Sequence, residues 1–184
     1  MKVISLDQST TGTGLAIFTN GKLKNYFLIK PKSSKKVIKT EIVKSPHLYE
    51  IKMTEDDYGV SLLRITEIVD LLEKIFKVEK PNVVYFEEIY ENNNPKGYRT
   101  SARLQGFIAH LAHQYGIRYV IVEENKWANS IATYSYKIKR DERKKDINKR
   151  INDLYGLNID NNDITDALAI GTYALMAEKE NKNG

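Results

Sequence analysis

Asp7 ends the apolar run VISL, Glu87 and Glu88 end the run VVYF, and Asp163 and Asp166 head the stretch DITDALAIG. Asp is depleted in strand interiors, so its position after VISL needs a reason. Carboxylates packed together suppress one another's ionisation, and divalent cations relieve that repulsion. If these acids meet in the fold, they predict a metal site of hard oxygen ligands, the kind that suits Mg2+ or Mn2+ rather than zinc.

Each acid also has an ordinary structural role open to it. Asp7 can accept hydrogen bonds from the turn of Ser9, Thr10 and Thr11. Glu87 and Glu88 point to opposite faces of a strand, so only one can share a face with Asp7, and either can simply end in solvent. Asp163 and Asp166, at i and i+3, lie on one face in the first turn of the helix that follows, where Asp163 can be the N-cap and Asp166 can support the dipole. The combination is more specific than any one of these: an early strand Asp, a strand-end Glu in mid-chain and paired Asp residues on the last helix.

The elements that must bring them together are legible in outline. KVISLD reads as a strand, LAIFT as a second, and Asn20 and Gly21 turn the chain into a third, KLKNYFLIK. From Pro31 to about Gly59 the periodicity fades, and this region is expected to be a flap or insertion. Ile65, Ile68, Val69, Leu72, Ile75 and Phe76 follow helical spacing until Pro81 stops them. VVYFEE is a short apolar strand covered on both faces. Leu104, Ile108, Leu111 and Tyr115 mark a second helix, which Gly116 ends before IRYVIVE, another strand expected to be buried. Ile147, Ile151 and Leu154 give a basic amphipathic helix, and a last helix runs from about Ile164 to Glu178, where Ala167, Ala169, Gly171 and Ala174 permit close approach to the sheet. The tail EKENKNG is expected to fray. Three antiparallel strands, then alternating helices and parallel strands, is the order of the ribonuclease H-like α/β fold, predicting a mixed five-stranded sheet flanked by helices.

Composition narrows the function classes. A chain of 184 residues with 41% apolar content suits a single domain spanning 1–184. It has no cysteine, so disulfides, thiolate zinc sites and cysteine nucleophiles are excluded. The first residues lack the apolar run of a signal peptide and no segment approaches a membrane span, so a cytoplasmic protein with no membrane partner is expected. Between Lys137 and Arg150, eight basic residues face three acids, an excess equal to the +5 of the whole chain. A basic surface beside an acidic pocket suggests a polyanionic substrate brought to metal ions.

The segments ISLDQSTTGTGLAIF, VVYFEEIY and DITDALAIG together resemble RuvC-type Holliday-junction resolvases, endonucleases of the ribonuclease H-like superfamily. The resemblance spans Asp7 to Ala174 and fails chiefly between Pro31 and Gly59. It implies that Asp7, Glu87, Asp163 and Asp166 are the metal ligands and catalytic acids. Glu87 is preferred over Glu88 because the family's acid is followed by a polar, an aliphatic and an aromatic residue, here Glu88, Ile89 and Tyr90. It further implies two Mg2+ ions, for which Mn2+ substitutes, roughly 3.5–4 Å apart, and nicks bearing a 5′ phosphate and a 3′ hydroxyl.

Lys144 then resembles the family's active-site lysine that contacts the scissile phosphate. A second lysine has no secure counterpart, Lys126 being the nearest. Tyr90 resembles the aromatic that stacks on a base near the junction, with a half-buried strand-end tyrosine as the ordinary alternative. Arg99, Arg103, Lys137, Lys139, Arg140, Arg143 and Lys145 complete the expected DNA contacts. The implied partners are branched DNA, especially four-way junctions, and a second copy of the chain, with the helix from Tyr98 to Tyr115, bearing Phe107, His110 and His113, as the expected homodimer interface. His110 and His113, three apart on a helix, are read as surface or interface residues rather than ligands, and Trp127 as core. The Lys- and Asn-rich composition fits a bacteriophage or other mobile-element origin. Two other readings stay open: a junction-binding module without turnover, and an actin-like ATPase fragment, since LDQSTTGTGLAIF also resembles a first phosphate loop, although the Gly-rich turn of such a protein's second domain is missing.

Overall fold

The computed structural model describes residues 1–35, 37, 39–54, 60–91, 94–132 and 139–183. In chain order the elements are β1 (Lys2–Asp7), β2 (Thr13–Thr19), β3 (Lys22–Ser34), β4 (Glu41–Ser45), β5 (Leu48–Thr54), α1 (Val60–Glu79), β6 (Val83–Glu87), α2 (Pro95–Gln114), β7 (Arg118–Val122), α3 (Glu124–Ile131), α4 (Arg140–Tyr155) and α5 (Asn162–Asn183). The strands form one mixed sheet in the order β4-β5-β3-β2-β1-β6-β7. β1, β2 and β3 are the antiparallel meander, turned between β2 and β3 by Asn20 and Gly21 at φ 51° and 79°, the left-handed pair that a two-residue hairpin requires. β6 joins β1 in parallel and β7 joins β6 in parallel.

Strand alternation divides the apolar side chains between two layers. Ile4, Leu6, Leu15, Ile17, Val84 and Phe86 pack with residues of α1 and α2, such as Ile68, Leu72, Leu104 and Ile108. Val3, Ala16, Phe18, Val83 and Tyr85 pack with α3, α4 and α5 through Trp127, Ile147, Ile151, Leu168 and Ala174. Each fully buried Val, Leu, Ile or Phe side chain among these contributes about 1.5–3 kcal/mol. α5 lies tight on the sheet. A Cβ on Gly14 would stand 1.8 Å from the Asp163 carbonyl oxygen, and one on Gly171 would stand 2.1 Å from the Phe18 ring. Ser5 Oγ locks the contact by donating to the Ala167 carbonyl at 2.6 Å.

Four expectations change. The sheet has seven strands among the described residues, not five, because the Pro31–Gly59 region is largely β structure. β3 runs on to Ser34, and β4 and β5 form a hairpin turned at His47, with β5 parallel to β3. Pro31 is tolerated there because it lies beyond Ile29, the last β3 residue paired to β2, where one edge of β3 carries no ladder. β7, expected to be buried, is the outer edge strand, with Tyr119 and Ile121 exposed. The C-terminal tail does not fray at Glu178. The helix continues to Asn183, and the buried Glu178 carboxylate accepts a hydrogen bond from Tyr85 at 2.6 Å and pairs with Arg118. α3 was not expected at all.

Candidate active site

Asp7 and Glu87 end neighbouring parallel strands, one step beyond the register pair Leu6 and Phe86. Alternation sets Asp7 with Val3 and Ser5, and Glu87 with Val83 and Tyr85, on the sheet face that α5 covers. Glu88 falls on the other parity, so Glu87 is the one that shares a face with Asp7. Gln8 fixes the relative height of the two strand ends. Its amide donates to the Glu87 carbonyl at 2.6 Å and accepts from the Glu87 N–H at 3.2 Å, and Gln105 of α2 donates to the same carbonyl at 2.8 Å.

α5 brings the other two acids. Asn161, not Asp163, caps this helix, its side-chain oxygen accepting from the Ile164 N–H at 3.0 Å. Asp163 lies in the first turn and Asp166 one turn further in, a small correction to placing both in the first turn. The QSTTG turn satisfies itself through Ser9, Thr11 and Thr13, and among the described residues none donates to the Asp7 carboxylate. The structural roles open to Asp7 and Asp163 in the sequence are thus filled by other groups.

All four acids line one cavity of about 730 Å³, together with Glu124, Trp127, Arg140 and Lys144. Burial pushes the Asp7 carboxyl well above its ordinary value, and the charges of Glu87, Asp166 and Asp163 push it further. Glu87 is pushed up to about 7 by burial, then by Glu124 and Asp166, against a hydrogen bond from the Trp127 indole at 3.3 Å. Asp166 is pushed up to about 6 by burial, with Asp163 and Glu124 adding and Lys144, 3.6 Å away, opposing. Burial also raises Asp163, while Lys144 and Lys30 lower it. Lys144 and Arg140 beside six carboxylates leave an uncompensated negative charge, which is what a divalent cation corrects.

The donor set fits Mg2+ or Mn2+ by type, the four expected acids together with Glu88 and Glu124, and no cysteine or histidine among the described cavity residues. Among the described residues, however, no three acids or histidines already stand as a metal-ligating group. The acids surround the cavity rather than forming a finished cage.

No protein-family model matches the sequence, and no curated protein matches it either. Solved structures do. RuvC of Thermus thermophilus in complex with a Holliday-junction substrate superposes with a TM-score of 0.68 over 97% of this chain and 96% of that one, at 17% identity. A second structure of Thermus thermophilus RuvC gives 0.65 over 98% and 97%, at 16% identity. The fold is that of RuvC. The yeast mitochondrial Holliday junction resolvase Ydc2 shares it more distantly, with a TM-score of 0.55 over 98% of this chain and 80% of that one, at 11% identity.

On this RuvC fold the remaining expected residues are spread unevenly. α4 carries Lys144 to the cavity because Ile147, three residues on, is buried against the layer that holds α5. Arg140 lines the cavity and Tyr90, 55% exposed, stands on its rim. Arg143 lies against α3, its guanidinium 3.4 Å from Asn125 Oδ1 and 3.5 Å from the Glu124 carbonyl. Lys139 and Lys145 of the α4 region and Arg99 and Arg103 of α2 are exposed and do not line the cavity. Lys126 pairs with Glu123 at 3.0 Å, also off the cavity. Lys137 lies outside the described residues. None of the described helices is long and apolar enough to cross a membrane.

Sequence reasoning missed Glu124, which lines the cavity with Asp7, Glu87, Glu88, Asp163 and Asp166, and treated Trp127 as core alone. Trp127 is indeed 3% exposed, yet its one polar atom meets Glu87. A buried indole N–H needs an acceptor, and that rule was the available signal.

Proposed function

We propose that this chain is a structure-selective DNA endonuclease that resolves four-way junctions or other branched DNA by hydrolysing phosphodiester bonds. The observation that carries this reading is the gathering of Asp7, Glu87, Asp163 and Asp166, from three separate elements, around one open cavity in a RuvC fold, with Lys144 at its side. Asp7, Glu87, Asp163 and Asp166 would hold the divalent ions, two per site, with Mg2+ the physiological choice and Mn2+ a substitute. Bound ions of this kind neutralise charge on the phosphate, activate the attacking water and stabilise the leaving oxygen.

The chain's own groups do the rest. Gln8 and Gln105 hold the Glu87 backbone, and Trp127 orients its carboxylate. Lys144 supplies a point charge for a non-bridging oxygen of the scissile phosphate, beside the acid that its charge keeps ionised. Arg140 extends that positive field outward along α4. Tyr90, exposed on the rim, offers a flat ring to an unpaired base at the branch. The product is a nick with a 5′ phosphate and a 3′ hydroxyl.

Two symmetric cuts need two sites, and a homodimer supplies them. Phe107 of α2, 50% exposed, and Tyr119 and Ile121 of β7 are large apolar side chains left in solvent on neighbouring elements, and they suit the dimer interface expected on α2.

The test is incubation of the purified protein with an end-labelled four-way junction and Mg2+. Paired nicks with ligatable 5′ phosphates, abolished by chelation, are expected. Binding without nicks would favour a junction-binding module without turnover, and no selectivity for branched over linear DNA would overturn the reading.

A further inference from the structure

The β3–β5–β4 part of the sheet forms a wing at the active-site end. Asp7 pairs with Gly14, and Gly14 with Leu28, so everything in β3 after Leu28 projects beyond the level at which β1 ends. β5 begins opposite Leu28 and runs parallel with β3 to Thr54, and β4 pairs back along it. The whole β4–β5 hairpin therefore belongs to the projection, which at strand rise extends about 20 Å past the sheet's edge.

The two faces of this wing differ. Pro31, Ile51 and Met53 are buried on one side, where Ile51 joins the layer formed with α1 and α2. The alternate positions carry Lys30, Lys32, Lys52 and Glu50. These four are true neighbours, because the charges of Lys32, Lys52 and Lys30 all act on Glu50, and Lys32 bonds it at 2.6 Å. Glu41 opposes Lys52 in the register. The face turns toward the catalytic cavity: Leu28, two positions before Lys30 and on the same face, packs in the layer that holds α5, and both Leu28 and Asp163 flank Gly12. No helix is packed on it to the extent that α5 covers β1 and β2.

We propose that this open face of the wing binds the phosphate backbone of one duplex arm of the branched substrate. The inference rests on the nuclease reading above and adds to it a contact surface separate from α4. Charge complementarity selects the occupant: Lys30 and Lys32 stand about 6.6 Å apart along β3, leading away from the cavity, and Lys52 faces Lys32 across the ladder, so three lysines cluster on this face. Lys32 itself is 56% exposed, so its ammonium can reach a phosphate while still beside Glu50. A wing of this length spans roughly six base pairs of helix axis.

The experiment measures binding of a fluorescent four-way junction by the full chain carrying Asp7→Asn, with Ca2+ in place of Mg2+, across a salt series. Adding Lys30→Ala, Lys32→Ala and Lys52→Ala is expected to weaken binding about ten-fold or more at moderate salt. It should also flatten the slope of log affinity against log salt by about 2 to 3, as expected for roughly 0.9 per lost phosphate contact. A charge-matched control, Lys22→Ala, Lys74→Ala and Lys179→Ala, alters exposed lysines on other parts of the molecule and should leave the slope as it was. Replacing the three wing lysines with Arg should restore binding. Equal losses in the wing and control variants, or an unchanged slope in the wing variant, would overturn the proposal. If the parent protein itself shows no preference for branched DNA, the nuclease reading has failed rather than the wing.

Discussion

α5 buries acids at both of its ends, and the two ends treat them differently. At the C-terminal end Glu178 is matched: Tyr85 donates to it, Arg118 pairs with it, and the phenol is pushed up to about 12 by burial and by its carboxylate neighbour. At the N-terminal end Asp163 and Asp166 share a cavity with Asp7, Glu87, Glu88 and Glu124, faced among the described residues by Lys144, Arg140 and Lys30, and the carboxyls of Asp7, Glu87, Asp163 and Asp166 are pushed upward all the same. Buried charge is normally paired because desolvation is costly. A helix that satisfies this rule at one end and breaks it at the other marks the broken end as the one built for something that binds.

The sharpest break of that comparison is Asp7→Asn. At the active end it should lower junction cleavage by about 1,000-fold or more, several kcal/mol of barrier at 1.36 kcal/mol per factor of ten. The fold should be as stable as before, or more so without metal, since a strained charge is gone. Single-turnover cleavage and chemical denaturation in chelator check the two halves. Wild-type cleavage removes Asp7 from the site, and a large loss of stability makes it structural.

Glu178→Ala is the mirror experiment. It orphans a buried phenol, while the already half-exposed Arg118 guanidinium can turn to water, so a loss of about 1–3 kcal/mol is expected, read by urea denaturation. Cleavage per folded molecule should not change. A cleavage defect without destabilisation would show that the two ends of α5 are not independent.

The acid site was legible because each acid interrupts or heads an apolar run, and the alternation rule narrows the choice to one of Glu87 and Glu88. Other parts were hidden for physical reasons. Glu178 sits in a segment whose composition reads as solvated, and only the tertiary partners Tyr85 and Arg118 make it an anchor. VVYF and RYVIV look alike as strands, but an apolar run does not tell an interior strand from an edge, and β7 is the edge. The wing was read only as a flap or insertion because its apolar positions, Ile42, Ile51 and Met53, lie in short strands among charged residues, and Pro31, which β3 runs straight through, reads in sequence as a breaker. α3, eight residues with one buried aromatic, is too short to show a period, and Glu124 was hidden with it.

The smaller effects refine the comparison by titration. Carboxyls raised in the folded state stay protonated where the unfolded chain has already ionised, so between about pH 4 and 7 the native protein binds more protons and loses stability as pH rises. Metal-free protein should therefore be more stable at pH 5 than at pH 7.5 as far as these groups are concerned. Asp166→Asn should flatten that slope, and millimolar Mg2+ should recover stability at the upper end. Denaturation midpoints across pH, for both proteins with chelator or Mg2+, read these outcomes. Equal slopes in wild type and Asp166→Asn would mean that the cavity acids are not strained.

Trp127→Phe is the finest probe, because it keeps an aromatic ring in the buried site, although a smaller one, and removes the N–H that reaches Glu87. Losing one hydrogen bond to a charged group of this kind costs about 1.5–3 kcal/mol at most when the acceptor is ionised, and less at 3.3 Å. The expected result is a several-fold rise in the Mg2+ concentration needed for half-maximal cleavage, with the rate at saturating Mg2+ nearly kept. As the only tryptophan, Trp127 also gives the wild type a built-in reporter, and Mn2+ should change its fluorescence in wild type but much less in Asp7→Asn. A fall in saturated rate with no change in metal requirement would place Trp127 in packing alone. The same indole would then belong with Tyr85 and Arg118, as part of what holds α5 down rather than what its open end is for.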